Sequence, residues 1–223
     1  MNHSENENKI CAVIPFYNEH STLKEIVKRT LPFVDRIILI NDGSTDEFTN
    51  QIPVNGKVIL ISHENNLGKG AALKTGLLKS IELKSNISIT LDADLQHDPQ
   101  LIPIFVQEIT NYDCLIGRRD RVESDMPIHR RLSNYLTSTL LSLKTKYKIE
   151  DSQSGFRAFR TEILKDILPT FSGFEAESEM IVKLCKKNFR LSFINIPTIY
   201  GNDNSKMKAV PAIIGFIKVM LKT

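Results

Sequence analysis

The chain has 223 residues, of which 41% are hydrophobic and 25% charged. That suits one soluble globular domain with a sizeable core. Its 29 basic and 26 acidic side chains leave a net charge of +3, too mild to point to nucleic acid, and no apolar run reaches the ~20 residues of a membrane-spanning helix.

The polar start, Met1 to Lys9, has no signal-peptide pattern. Cys11, Cys114 and Cys185 are widely spaced and form neither a metal motif nor a disulfide framework. Both features lead us to expect a reducing, cytoplasmic setting. Lys9–Phe16 reads as a buried strand. Thr22-Leu-Lys-Glu25 reads as a capping box that opens a helix with an apolar stripe of Leu23, Ile26, Val27 and Leu31. Arg36–Ile40 is a short apolar strand stopped by Asn41-Asp42-Gly43-Ser44, and Lys57–Ser62 is a third strand. A loop over Asn65–Gly70 leads to a helix over Ala71–Ser85. Asn86–Leu91 is the fourth strand, Pro99–Asn111 a helix, and Asp113–Gly117 the fifth strand. The second half is more helical, over about 128–147, 161–168 and 175–188, before a last strand at Arg190–Ile196.

Apolar strands joined by helices predict an α/β protein: a mostly parallel sheet with helices on both faces. We read residues 1–200 as one domain and 201–223 as a basic amphipathic tail. In the tail, Val210, Ile213, Ile214, Ile217 and Leu221 recur at helical spacing among Lys206, Lys208, Lys218 and Lys222. Such a helix lies on a membrane surface or packs on the domain.

The chemistry concentrates in Ile87-Ser-Ile-Thr-Leu-Asp92-Ala-Asp94-Leu-Gln96-His-Asp98. A buried run ends in two carboxylates at i, i+2, a spacing that turns both to one face of a strand. Close carboxylates repel unless a cation lies between them, and a hard divalent metal fills that role with oxygen ligands. The bland alternative, that both merely cap a helix, is met already by Asp98-Pro99. The turns Pro15–Glu19, Asn41–Ser44 and Asp92–Asp94 all follow strands. A parallel sheet therefore gathers Glu19, Asp42, Asp92 and Asp94 at one edge, where such sheets bind ligands. Gly68-Lys69-Gly70 is not a Walker A loop, and Lys69 reads as solvated by spacing alone. The histidines show no ligand pairing for zinc. Phe156, Phe159, Phe171 and Phe174 read as core, and Glu175, Glu177 and Glu179 as a solvated helix face, with Glu177 the acid to test.

Taken in order, several segments resemble family 2 glycosyltransferases of the GT-A fold, nearest to dolichyl- or polyprenyl-phosphate sugar synthases. The segments are Val13-Ile-Pro-Phe-Tyr-Asn-Glu19, Ile40-Asn-Asp-Gly-Ser-Thr-Asp46, Asn66-Leu-Gly-Lys-Gly-Ala71 and Leu91-Asp-Ala-Asp-Leu-Gln-His-Asp-Pro99. Gly117-Arg-Arg119, Pro127-Ile-His-Arg-Arg131, Asp151-Ser-Gln-Ser-Gly-Phe-Arg157 and Ser205-Lys206 continue the series across nearly the whole chain.

The resemblance implies a nucleotide-sugar donor, a polyprenyl-phosphate acceptor and a peripheral place on the cytoplasmic membrane face. It also implies that Pro15, Tyr17 and Glu19 line the base and ribose, with Ile40 and Asp42 holding them from the second strand. Asp92, Asp94 and Gln96 would surround Mg²⁺ or Mn²⁺ and the diphosphate, with Lys69 and Ala93 on the donor side. Arg119 matches the family's Gly-Thr-Arg, although Arg118 stands where Thr is usual. Arg130 or Arg131, with Lys206, would meet phosphate charge. Asp151 would be a base, a sugar-hydroxyl anchor or an orienter of Arg157. A phosphate acceptor, whose second pKa is about 6, needs no general base, whereas a hydroxyl does. The rival readings are the same fold acting on a polysaccharide, glycolipid or protein hydroxyl, and a non-catalytic sugar-nucleotide binder.

Overall fold

The computed structural model describes residues 9–53, 56–119, 128–197 and 209–223. Among them seven strands form one sheet. These are β1 (Ile10–Phe16), β2 (Arg36–Asn41), β3 (Val58–Ser62), β4 (Ile87–Thr90), β5 (Cys114–Arg119), β6 (Arg157–Arg160) and β7 (Leu191–Ile196). Their order is β3-β2-β1-β4-β6-β5-β7. β1 pairs in parallel with β2 and β4, as do β2 with β3 and β5 with β7. β6 runs antiparallel between β4 and β5. The expected mostly parallel sheet is present. β6 was missed, because a four-residue run opening on an arginine carries no periodic signal.

The helices are α1 (His20–Thr30), α2 (Lys69–Glu82), α3 (Ile102–Glu108), α4 (Ile128–Thr145), α5 (Leu164–Ile167), α6 (Ala176–Lys186) and α7 (Ala209–Lys222). Alternation along the strands sorts side chains to two core layers. Ala12, Ile14 and Phe16 of β1 join Leu23 and Ile26 of α1 and Phe105 of α3. Cys11 and Val13 join Ala72 of α2, Leu141 of α4, Met180 of α6 and Val219 of α7. Helices therefore cover both faces, and the loops after β1, β2 and β4 meet at one edge.

One local expectation changes, and packing decides the faces of two further helices. The capping box does not form: α1 begins at His20, and Thr22 lies inside the first turn, donating to the Glu19 carbonyl oxygen at 3.3 Å. Asp46 from the next loop accepts the His20 N–H at 2.8 Å instead, so an acid distant in sequence caps the helix. α4 turns several polar side chains inward beside Leu141. Asn134 and Ser138 are buried, and Ser138 and Thr137 both hydrogen-bond Ser152, at 3.2 and 3.0 Å. Leu132, Tyr135, Leu136 and Leu143 each expose more than half of their surface. Finally, α7 packs on the domain along one side. Val219 is buried, Phe216 and Met220 pack on the core, and Lys144 Nζ donates to the Met220 carbonyl oxygen at 2.8 Å. Ile213, Ile214, Ile217 and Leu221 nonetheless remain about half exposed or more. The side chain of Val210 lies outside the described residues.

Candidate active site

The first two turns are joined by Asn18, whose φ of 53° turns its side chain toward the second loop. Its N–H donates to Ser44 Oγ at 2.9 Å, and its Oδ1 accepts the Thr45 N–H at 2.8 Å. Tyr17 and Glu19 are half-buried beside this junction, while Pro15 is buried in register with Ile40. Ile40 itself is fully buried. A Cβ on Gly76 of α2 would lie 3.2 Å from its Cγ1, which shows how closely α2 covers it. The Ile40 side chain thus packs in the core and leaves only its backbone for a ligand at this edge.

Asp42 is also buried, and its carboxylate is taken up locally. It pairs with His63 Nδ1 at 2.8 Å and accepts the N–H groups of Leu67 and Gly68 at 3.0 and 2.8 Å. Asp42 thereby fixes the loop that leads into α2. Gly68 has φ of 99°, and a Cβ there would fall 2.4 Å from the Ser172 carbonyl oxygen, so glycine is required. That same oxygen accepts the Gly70 and Ala71 N–H groups at 2.7 and 3.2 Å, satisfying two of the free donors in the first turn of α2.

These contacts place Lys69 in the site rather than in solvent. Its Nζ lies 2.7 Å from Asp92 Oδ1 and 3.1 Å from Glu177 Oε1. The Phe174 ring centroid is 5.7 Å away, and Phe174 is partly exposed rather than core. Burial alone would lower the Lys69 ammonium, but Asp92 and Glu177 outweigh it and hold it firmly charged. Glu177 is buried, not on a solvated face, and burial raises its carboxyl despite Lys69. The sequence signals for Lys69 and Glu177 lie far apart, and only packing of α2 against α6 brings them together.

Asp92 and Asp94 lie beyond β4, which ends at Thr90, on a turn rather than on the strand. Leu91 and Ala93 nevertheless keep the strand alternation and are buried in the α1/α3 layer. Ala93 therefore points away from the donor edge. Asp92 is buried enough to be pushed up, but Lys69, His97 and Arg119 more than offset this and hold its carboxyl low. Asp94 behaves oppositely: burial first, then Asp92, raises it to about 6. Glu19 adds to that push, which places it within electrostatic reach of the pair. The Gln96 N–H donates to Asp94 Oδ1 at 3.1 Å and keeps the half-buried Gln96 in the same turn.

Excess negative charge on hard oxygens is the donor chemistry that suits Mg²⁺ or Mn²⁺. Among the described residues no group of three or more His, Cys, Asp or Glu side chains converges as a metal cage. A metal at Asp92 and Asp94, with Gln96 near, would complete its shell from phosphate oxygens and water, as Mg²⁺ usually does.

On the other side of the edge, β5 ends in two arginines whose directions alternate. Arg119 Nε and Nη2 donate to Asp151 Oδ2 and Oδ1 at 2.8 and 3.0 Å. Arg118 instead reaches Glu150, at 2.5 Å. Asp151 is completely buried, and its Oδ1 also accepts Asn134 Nδ2 and the Gln153 N–H, each at 3.0 Å. Burial pushes Asp151 up, but Arg119 and these hydrogen bonds win and hold it low. Asp151 therefore orients Arg119, which corrects the expected partner, Arg157. Arg157 is buried among carbonyl oxygens of Ser152, Ser154 and Glu177 at 2.8 to 3.0 Å. Arg131 is partly buried in the first turn of α4, one turn before Asn134. Lys206 and the side chain of Arg130 lie outside the described residues.

Gly155 is a site residue that sequence reasoning passed over. A Cβ there would fall 2.3 Å from Asp92 Oδ2. Gly155→Ala is expected to leave the fold in place but displace the Asp92 carboxylate, cutting turnover at least tenfold. Far-ultraviolet circular dichroism with turnover rates checks this, and unchanged turnover would contradict it.

A carboxylate pair at the carboxyl edge of a parallel sheet, with a lysine and a fixed arginine beside it, is the arrangement expected of a GT-A glycosyltransferase. Residues 11–168 match the family model for Glycosyl transferase family 2, and the chain belongs to that family. It is 32% identical over 232 residues to the UDP-N-acetylglucosamine–dolichyl-phosphate N-acetylglucosaminyltransferase of Methanococcus voltae, covering 93% of this chain and 92% of that one. An uncharacterised protein of Methanocaldococcus jannaschii is 34% identical over 225 residues, covering 97% and 91%. The undecaprenyl-phosphate 4-deoxy-4-formamido-L-arabinose transferase of Shewanella sediminis is 32% identical over 181 residues; 75% of this chain matches about half, 53%, of that one. A crystal structure of glucosyl-3-phosphoglycerate synthase from Mycobacterium tuberculosis, with Mn²⁺, UDP-glucose and phosphoglyceric acid, superposes with a TM-score of 0.75 at 19% identity, covering 96% of this chain and 79% of that one. At that identity the likeness speaks to the fold.

Proposed function

We propose that this glycosyltransferase moves a sugar from a nucleotide-sugar donor to a polyprenyl phosphate at a membrane surface, with inversion, using a divalent metal held by Asp92 and Asp94. The observation that carries the reading is the turn that sets Asp92 and Asp94 at the carboxyl edge of the sheet, beside Lys69 and backed by Gly155, in a chain that belongs to family 2. A metal bound there would stabilise charge growing on the leaving diphosphate. Lys69 is poised to turn from Asp92 to that diphosphate. Tyr17 and Glu19 would line the base and ribose, with Asp42 acting beneath them through the loop it holds. Arg119, with Arg131 and Lys206, would meet the acceptor phosphate.

The state of Asp151 supports a phosphate acceptor. Its carboxylate is engaged by Arg119, Asn134 and the Gln153 amide, which leaves it no lone pair suited to a base. The relatives named for dolichyl and undecaprenyl phosphate agree with this choice. The test is transfer of labelled sugar from UDP-N-acetylglucosamine and other nucleotide sugars to a short-chain polyprenyl phosphate, with Mn²⁺ or excess chelator. Transfer to a soluble glycoside but not to the lipid phosphate would overturn the acceptor assignment. Full activity in chelator would overturn the metal.

The outward apolar faces of α4 and α7 support peripheral docking on the cytoplasmic membrane face, with residues 201–223 as the docking appendage. No helix among the described residues is long and apolar enough to cross a membrane. Lys146, Lys148, Lys218 and Lys222 accompany these faces, and each lysine near an anionic surface contributes ~1 kcal/mol. Replacing both Ile213 and Ile217 by Glu is expected to cut co-sedimentation with anionic vesicles and lipid turnover, leaving nucleotide binding intact. Equal sedimentation of variant and parent would count against docking. Deleting α7 is a poorer test, since it uncovers the core around buried Val219.

A further inference from the structure

His97 is buried, with 3% of its surface exposed, yet neither ring nitrogen has a hydrogen-bond partner among the described residues. Leaving a buried polar group unsatisfied costs its full desolvation penalty, so such groups call for a reason. One side of the His97 ring meets an aromatic neighbour. The ring lies 5.9 Å from that of Phe156, which stacks at 4.2 Å on Phe105 of α3. Leu95, two residues earlier, has φ of 61°, a strained value for leucine. The turn that carries Gln96 and His97 is thus held in a conformation with both strain and unpaired nitrogens. Both features cluster where a site is prepared for a ligand.

The neighbour that matters is Asp92. Lys69 approaches it from the α2 side of the sheet, where Ala72 and Leu77 pack. His97 lies on the opposite side, packed on Phe156 of the α1/α3 layer. Among the charges acting on His97, that of Asp92 is the largest. A Cβ on Gly155, the residue before Phe156, would fall 2.3 Å from Asp92 Oδ2, so His97, packed on Phe156, lies on the Asp92 side of this layer with both ring nitrogens unengaged, while Lys69 holds Asp92 from the other face.

We propose that His97 is a positioning residue that takes over as hydrogen-bond donor to Asp92 when Lys69 leaves it for the donor diphosphate. A carboxylate that binds metal needs an outer partner to fix its direction, and loss of such a partner typically costs 10- to 100-fold in metal affinity. This inference rests on the metal reading above. It separates two roles of the residue: His97 weakens the ligand-free protein and strengthens the loaded one.

The test uses the full chain with Mn²⁺ alone and with Mn²⁺ plus UDP. Free Mn²⁺ is followed by electron paramagnetic resonance, and ligand-free melting is measured in parallel. His97→Phe fills the site without unpaired nitrogens. It is expected to melt no lower than the parent while binding Mn²⁺ with UDP about tenfold to a hundredfold more weakly. His97→Gln, which restores a donor, should recover part of that affinity. If the parent binds Mn²⁺ and His97→Phe binds equally well, the positioning role is wrong and the metal site stands. If His97→Phe is unfolded, His97→Gln decides: affinity equal to that of His97→Ala overturns the proposal. If the parent itself binds no Mn²⁺, the metal reading and this inference fall together.

Discussion

Asp94→Asn is expected to abolish sugar transfer and yet to raise the melting temperature of the ligand-free protein. The two effects share one cause. The Asp94 carboxyl stands at about 6, above its unfolded value of 3.8, because burial and Asp92 disfavour its charge. The folded state therefore binds the proton more tightly than the unfolded chain. Its contribution favours folding below pH 4, and that advantage is lost as pH rises through 6. At pH 7 a shift of about two pH units corresponds to at most roughly 3 kcal/mol of unfavourable charge. Asparagine removes that charge and keeps an oxygen for the Gln96 N–H. It also removes a hard anionic ligand, so the stabilisation by Mn²⁺ with nucleotide, ~2.7 kcal/mol at 100 times the dissociation constant, should vanish. Melting curves between pH 5 and 7, with and without Mn²⁺, check both halves. Near-normal turnover, or Mn²⁺ stabilisation equal to that of the parent, would sink the assignment.

Arg119→Ala should be the most damaging single change at the acceptor end. It leaves Asp151, a completely buried carboxylate, without its bidentate partner. Breaking such a pair from one side costs about 3–5 kcal/mol. Asp151→Asn should be milder, because the guanidinium is less buried and an amide oxygen can still accept from it. The double variant, Arg119→Ala with Asp151→Asn, should melt above Arg119→Ala alone, since no charge is then stranded. For turnover with a short-chain polyprenyl phosphate, Arg119→Ala should again lose more than Asp151→Asn. Greater loss in Asp151→Asn would mean that Asp151 acts as a base, and hence that the acceptor is a hydroxyl. Chemical denaturation and kcat for the three variants supply both orders.

The central strands β1 and β2 were readable because they are apolar on both faces: Ala12 and Ile14 serve one core layer, Cys11 and Val13 the other, as do Ile37 and Leu39 against Ile38 and Ile40. β6 was not readable, because its pairing depends on the slot between β4 and β5 rather than on its own pattern. The capping box over Thr22–Glu25 failed because Asp46, from a separate loop, offers the free N–H of His20 a charged acceptor.

At the site, the residue types that Asp92, Asp94 and Gln96 present, and their closeness, follow from the sequence, since neighbours on a short turn cannot be far apart. The same is true of Arg118 and Arg119, whose opposite directions follow from strand alternation. What the acids are paired with could be settled only by the folded chain. Asp42 turns to His63 and two backbone amides, Asp92 to Lys69, and Asp151 to Arg119. α4 turns Asn134, Thr137 and Ser138 inward and leaves Leu132, Leu136 and Leu143 outside, because buried Asp151 and Ser152 need polar partners on the inner side. Composition and periodicity are local properties of the chain. Burial, which sets what a charge costs and which partner it must find, belongs to the packed molecule alone.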